Sequence, residues 1–160
     1  MLSLIFPKQL DNNYRGHWLG ILLLVPLALM KLAQSVVSIV MTRMVATGPD
    51  RIPLDSYDPA AADAVVSIFA LLGLYGLIVP VLALIALVRY RSMIPLVYLF
   101  FLAVQVGSRV LITLNPIVRS DGPATGFGIN MAILAVTVVG FGLSLWRRSG
   151  STREAPSTAA

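Results

Sequence analysis

Four stretches of the chain are almost uninterrupted apolar residues, at about 17–42, 64–88, 93–114 and 127–146. Each reaches the ~20 residues that an α-helix needs to cross a hydrocarbon layer about 30 Å thick. Helices buried in a soluble core would be shorter and would have amphipathic neighbours, a pattern that is absent here. The periodicity therefore predicts an all-α, integral membrane four-helix bundle over residues 17–146. Residues 1–16 read as a cytoplasmic or interfacial N-terminal segment, and 147–160 as a disordered basic tail.

Proline, glycine and aspartate punctuate the spans. Asp58-Pro59 is an N-cap residue followed by proline at the first helical position, so the second helix is expected to start at Pro59. Asn115-Pro116 should stop the third, and Asp121-Gly122-Pro123 should lead into the fourth. The stretch RMVATGPDRIPLDSYD, residues 43–58, carries turn signals and reads as a loop. RYRS, residues 89–92, is so short that the second and third helices must be antiparallel neighbours. Pro26 and Pro80 are expected to kink the first and second helices. Gly73 and Gly76, and Gly140 with Ser144, offer close helix contact or a dimer face. Lys8 and Arg15 before the first apolar run resemble the start of a secretory signal. No small-residue cleavage site follows, and the run is expected to persist as a helix.

Composition sharpens the class without changing it. Of the 160 residues, 58% are hydrophobic and 12% charged, with a mean hydropathy of +0.87. A soluble domain carries about 25% charged residues. Lys8, Arg15, Arg89, Arg91, Arg147, Arg148 and Arg153 fall on one side of the spans, and Arg43, Arg51 and Arg119 on the other. The positive-inside rule then places both termini in the cytoplasm, with the protein in the inner (plasma) membrane if the source is bacterial. The net charge of +5 reflects this topology and implies no nucleic-acid groove. There is no cysteine, which excludes disulfides, thiolate metal sites and thiol redox chemistry within the chain.

The polar residues inside the spans carry the candidate chemistry. Lys31, Gln34, Ser35 and Ser38 share one helical face by their spacing, and Thr42 extends the stripe. Lys31 lies 11 residues before Thr42, about 16 Å of rise, and about 21 Å from His17. Its side chain spans only ~6 Å, so snorkelling does not easily reach either surface. A lysine at the bilayer centre costs about 2.5–3.5 kcal/mol on insertion scales. On the third helix Gln105, Ser108 and Arg109 fall on adjoining faces. Arg109 sits about 8 Å from the helix end, shallow enough to snorkel. The nearest candidate counter-charge is Asp63, with Ser67 one turn deeper, and an Arg109–Asp63 pair is one arrangement. Lys31 is then left to be deprotonated, to bond to Gln34, Gln105, Asn130 or a backbone carbonyl, or to meet an anion from outside the chain. The expected site is a polar cavity in the outer half, lined by helices one, two and three.

The sequence contains no nucleophile elbow, zinc-protease helix or phosphate-binding glycine loop. It has one histidine, His17, read with Trp18 and Trp146 as part of an aromatic belt. Asp50, Asp55 and Asp58 lack cation-loop spacing. The expectation is a protein that is not an enzyme, with no cofactor and no metal site. Two roles remain. One is an accessory or assembly subunit whose polar faces dock on another membrane protein, a homo-oligomer included. The other is a binding or transport module for an anionic amphiphile, an anionic lipid or a small acid.

Overall fold

The computed structural model of the chain describes residues 2–116 and 125–146. The regular elements among them are helical. They are α1 (Leu2–Ile5), α2 (Trp18–Val40), α3 (Thr42–Thr47), α4 (Pro59–Gly76), α5 (Ile78–Val88), α6 (Ile94–Leu114) and α7 (Thr125–Leu145), with 3-10 turns at Leu54–Ser56 and Arg91–Met93. Four helical stretches are long and apolar enough to cross a membrane: Trp18–Val40, Pro59–Val88, Arg91–Leu114 and Gly128–Leu145. The expected 127–146 span agrees with this where it is described. The Asp121-Gly122-Pro123 turn and the 147–160 tail lie outside the described residues.

The ends form for local reasons. His17 caps α2, its Nδ1 accepting from the Leu19 N–H at 3.3 Å. The Asp58 carboxylate accepts from the Ala60 N–H at 3.1 Å, and Pro59 opens α4. Asn115 closes α6, its side-chain amide donating to the Leu111 carbonyl at 3.2 Å, immediately before Pro116. Between α4 and α5 the helix breaks at Leu77. Pro80 has no N–H to offer the Gly76 carbonyl, and the Leu77 N–H turns back to Leu74 at 3.1 Å. Pro26, by contrast, is accommodated inside α2 without a break in the helix.

α2 packs on α4, α5 and α7, and α6 packs on α5 and α7. Among the described residues α4 and α6 share no extended contact. At the end where the chain enters α2 and leaves α7, the His17 N–H donates to the Leu143 carbonyl at 3.1 Å. The main core lies in this terminal half and includes Leu24, Leu27, Ala28, Ala83, Ala86, Val97, Tyr98, Phe101 and Ile133. Tyr98 is wholly buried and donates to the Gly20 carbonyl at 2.7 Å. Gly140 forms the seat of its ring and has no room for a side chain there. Gly140 and Ser144 thus serve packing within the chain, Ser144 lying against Gly16 and Gly20.

The N-terminal segment is tied to this end. Asp11 exchanges hydrogen bonds with Ser92: its N–H donates to Ser92 Oγ at 3.1 Å, and its carbonyl accepts from Ser92 Oγ at 2.9 Å. α1 packs on α6 with Leu4 buried. Tyr14 fills the space left by Gly16 and Gly20. Its hydroxyl is buried without a hydrogen-bond partner among the described residues, and burial pushes its pKa up to about 12.

The loop expected over residues 43–58 is more ordered than its turn signals imply. α3 and the 3-10 turn fold over α4 around a second apolar cluster of Ala46, Ile52, Leu54 and Ala62, with Tyr57, Val65, Val66 and Phe69 against it. Two prolines and a glycine disguise this cap as a linker, yet Ile52 and Leu54 are buried. Arg51, at φ 55°, turns the chain in the left-handed region, where a non-glycine residue is uncommon.

Three substitutions test this packing in thermal unfolding of the detergent-purified protein. Gly140→Val should lower stability by about 2–4 kcal/mol, through overpacking and loss of the tyrosine hydrogen bond. Tyr98→Phe should lower it by only about 1 kcal/mol. Tyr14→Phe removes an unpaired buried hydroxyl and should be neutral or stabilising by about 1 kcal/mol. In the wild type the Tyr14 contribution is intact below pH 10 and is lost as the pH rises towards about 12. A stability drop that begins below pH 10 and disappears in Tyr14→Phe would contradict that assignment.

Candidate functional site

Between the terminal core and the cap lies a partly open cavity of about 490 Å³. Its walls come from three helices: Lys31, Gln34, Ser35 and Ser38 on α2, Phe69, Leu72, Gly73, Tyr75 and Gly76 on α4, and Phe101, Val104, Gln105 and Ser108 on α6. Val79 and Pro80 of α5 also line it, as do Val45 and Asp50 of the cap. The cavity exists because α6 leans on α5 and α7 while α4 is drawn onto α2. That second contact is close. A Cβ at Gly73 would stand 3.0 Å from the Ser38 Cβ and from an Ile39 side-chain carbon, and one at Gly76 would stand 2.8 Å from Ser35 Oγ.

Most hydroxyls near the cavity are satisfied along their own helices. Ser38 donates to the Gln34 carbonyl at 2.9 Å, and Thr42 to the Ser38 and Ile39 carbonyls at 2.8 and 2.9 Å. Such back-bonding lets a hydroxyl sit in apolar surroundings at little cost. Lys31 is different. Its Nζ donates to the Gln34 Oε1 at 3.0 Å, a neutral partner one turn along. No ion pair joins Lys31 to a carboxylate of the described residues; Arg15–Asp11 and Arg43–Asp55 pair elsewhere. Gln105 is held from behind: its Nε2 donates at 3.0 Å to Thr137 Oγ1, which donates in turn to the Ile133 carbonyl at 2.7 Å. Thr137 is completely buried and fixes the register of α6 on α7.

Of the nine candidate residues, Lys31, Gln34, Ser35, Ser38 and Gln105 border the cavity. Asp63, Ser67, Arg109 and Asn130 do not. Asp63 and Ser67 are exposed on α4, and the separation of α4 from α6 leaves no Asp63–Arg109 pair, contrary to expectation. Asn130 does not bond to Lys31, whose amide partner is Gln34. Asp50 and Thr137 were not among the candidates. Asp50 belongs to a segment whose fold over the cavity has no periodic signature, and a single threonine in an apolar helix carries no signal. Ser108 was legible, one turn beyond Gln105 on α6.

Chemically, the site offers the Lys31 amine, the Asp50 carboxylate, two carboxamides and hydroxyls set against aromatic and aliphatic walls. No group of three or more metal-ligating side chains occurs among the described residues. Comparison with protein-family models, curated proteins and solved structures finds no match to this chain, so geometry alone carries the functional reading.

The cysteine-free background makes this geometry directly checkable. Ser38→Cys with Gly73→Cys should form a disulfide on mild oxidation, their Cβ atoms being close enough for a small adjustment to give bonding geometry. Asp63→Cys with Arg109→Cys should not. Peptide masses before and after reduction distinguish the pairs, and efficient crosslinking of the second pair would refute the α4–α6 separation.

Proposed function

We propose that this chain is a multi-pass membrane protein whose four-helix bundle binds an anionic molecule in the cavity beside Lys31, without catalysing a reaction. The carrying observation is a lysine on a cavity wall whose hydrogen-bond partner is a neutral amide. A charge at that depth calls for an opposite charge, and the described residues give Lys31 no ion pair. Gln34, Gln105 and Ser108 supply further groups for the polar part of a ligand. With the positive-inside rule, the terminal end lies in the cytoplasm and the cavity in the outer half of the bilayer.

A role as an accessory subunit is the second reading. It is favoured by the incomplete closure of the cavity between α4 and α6, which gives a partner helix a place to set a carboxylate near Lys31.

Native mass spectrometry of the gently extracted protein beside Lys31→Leu separates the two. The expected result is a small anionic ligand retained by the wild type and reduced at least tenfold in the variant, which should insert and fold at least as well. A stoichiometric protein partner lost from the variant would favour the subunit role. Equal, empty spectra would remove both readings.

A further inference from the structure

The shape of the cavity selects among anions. Resting on the binding role proposed above, we infer that the ligand is a single-chain amphiphile with a carboxylate head, received sideways from the membrane, and not a water-soluble small acid.

Three observations carry this. First, both ends of the cavity are occupied by protein. The terminal half is filled by the main core, with Phe101 and Pro80 shared between core region and cavity floor. The cap closes the other end around its own apolar cluster. The side between α4 and α6 is where helix contact fails. Second, that side is apolar. Leu72, Tyr75 and Val104 border the cavity and are 58%, 64% and 56% exposed, so they form the two lips of a gap that a bilayer would fill with acyl chains. Third, the polar groups are clustered. Lys31 and Gln34 lie bonded to one another on α2, with Gln105 on α6.

A short acid would satisfy Lys31 and leave most of a cavity of about 490 Å³ lined by apolar carbon. A long-chain carboxylate satisfies both parts: its head accepts from Lys31 and the carboxamide donors, and its chain lies against the aromatic wall and leaves between Leu72 and Val104. Burial of the chain's methylenes is favourable relative to water. Against a bilayer that gain is small, so the head contact with Lys31 decides whether the ligand stays.

The test uses the full chain in neutral-lipid nanodiscs and hexadecanoate bearing a diazirine near the end of its chain. Photolabelling should map to α4 and α6 peptides containing Leu72, Tyr75 or Val104. Excess hexadecanoate should compete; acetate and hexadecanol should not. Lys31→Gln should cut labelling at least tenfold. Val104→Trp, which narrows the gap, should cut it while preserving the helical circular dichroism, and Leu72→Trp does the same from the other lip if the first variant fails to fold. Competition by acetate as effective as by hexadecanoate would overturn the amphiphile assignment and leave the anion site standing. Labelling unaffected by Lys31→Gln would overturn the anion site itself. Labelling unchanged in both tryptophan variants would overturn the lateral route.

Discussion

The arrangement depends on how closely helices approach one another, and glycine sets that distance at two levels. At the terminal end Tyr98 reaches across to the Gly20 carbonyl while its ring rests on Gly140, which binds α2, α6 and α7 together. Nearer the cap, Gly73 and Gly76 let α4 sink onto Ser35, Ser38 and Ile39 of α2. Helix α6 is therefore committed to one set of neighbours and α4 to another. The space between them follows from those commitments, and no residue has to hold it open.

This geometry also accounts for how a polar stripe survives in an apolar helix. Ser35 is spent in close packing against Gly76, and Ser38 and Thr42 bond to carbonyls of their own helix. Hydroxyls placed this way make few demands on their surroundings. Lys31 and Gln34 answer one another across a turn, but an amide satisfies hydrogen-bonding capacity without neutralising charge. What remains is a lysine amine held by a neutral amide in a mostly apolar chamber.

The sequence disclosed those features that depend on local chemistry. Asp58-Pro59 and Asn115-Pro116 mark helix ends through capping and a missing N–H, so α4 begins and α6 stops where those residues stand. The 3, 4 and 7 spacing of Lys31, Gln34, Ser35 and Ser38 placed them on one face, and four of the cavity's polar groups come from that face. Tertiary features were less accessible. Asp63 and Arg109 share a similar depth in a linear reading, but depth says nothing about which helices adjoin. Ile52 and Leu54 sit among prolines and charges, and their burial depends on α4 being beside them. Gly20 and Gly140 acquire meaning only once Tyr14 and Tyr98 are seen occupying the space they leave.

The length of the second span has a further consequence. Pro59–Val88 contains 30 residues, about 45 Å of helix, whereas a hydrocarbon layer is about 30 Å thick. The surplus of about 15 Å needs tilt, bending or overhang. The break at Leu77 supplies bending, and Asp58 and Asp63 at the start of α4 favour an overhang there. The cap built on α4 would then stand clear of the acyl region, in the headgroup layer. A thicker bilayer would draw more of α4 into hydrocarbon and bring the cap closer to it.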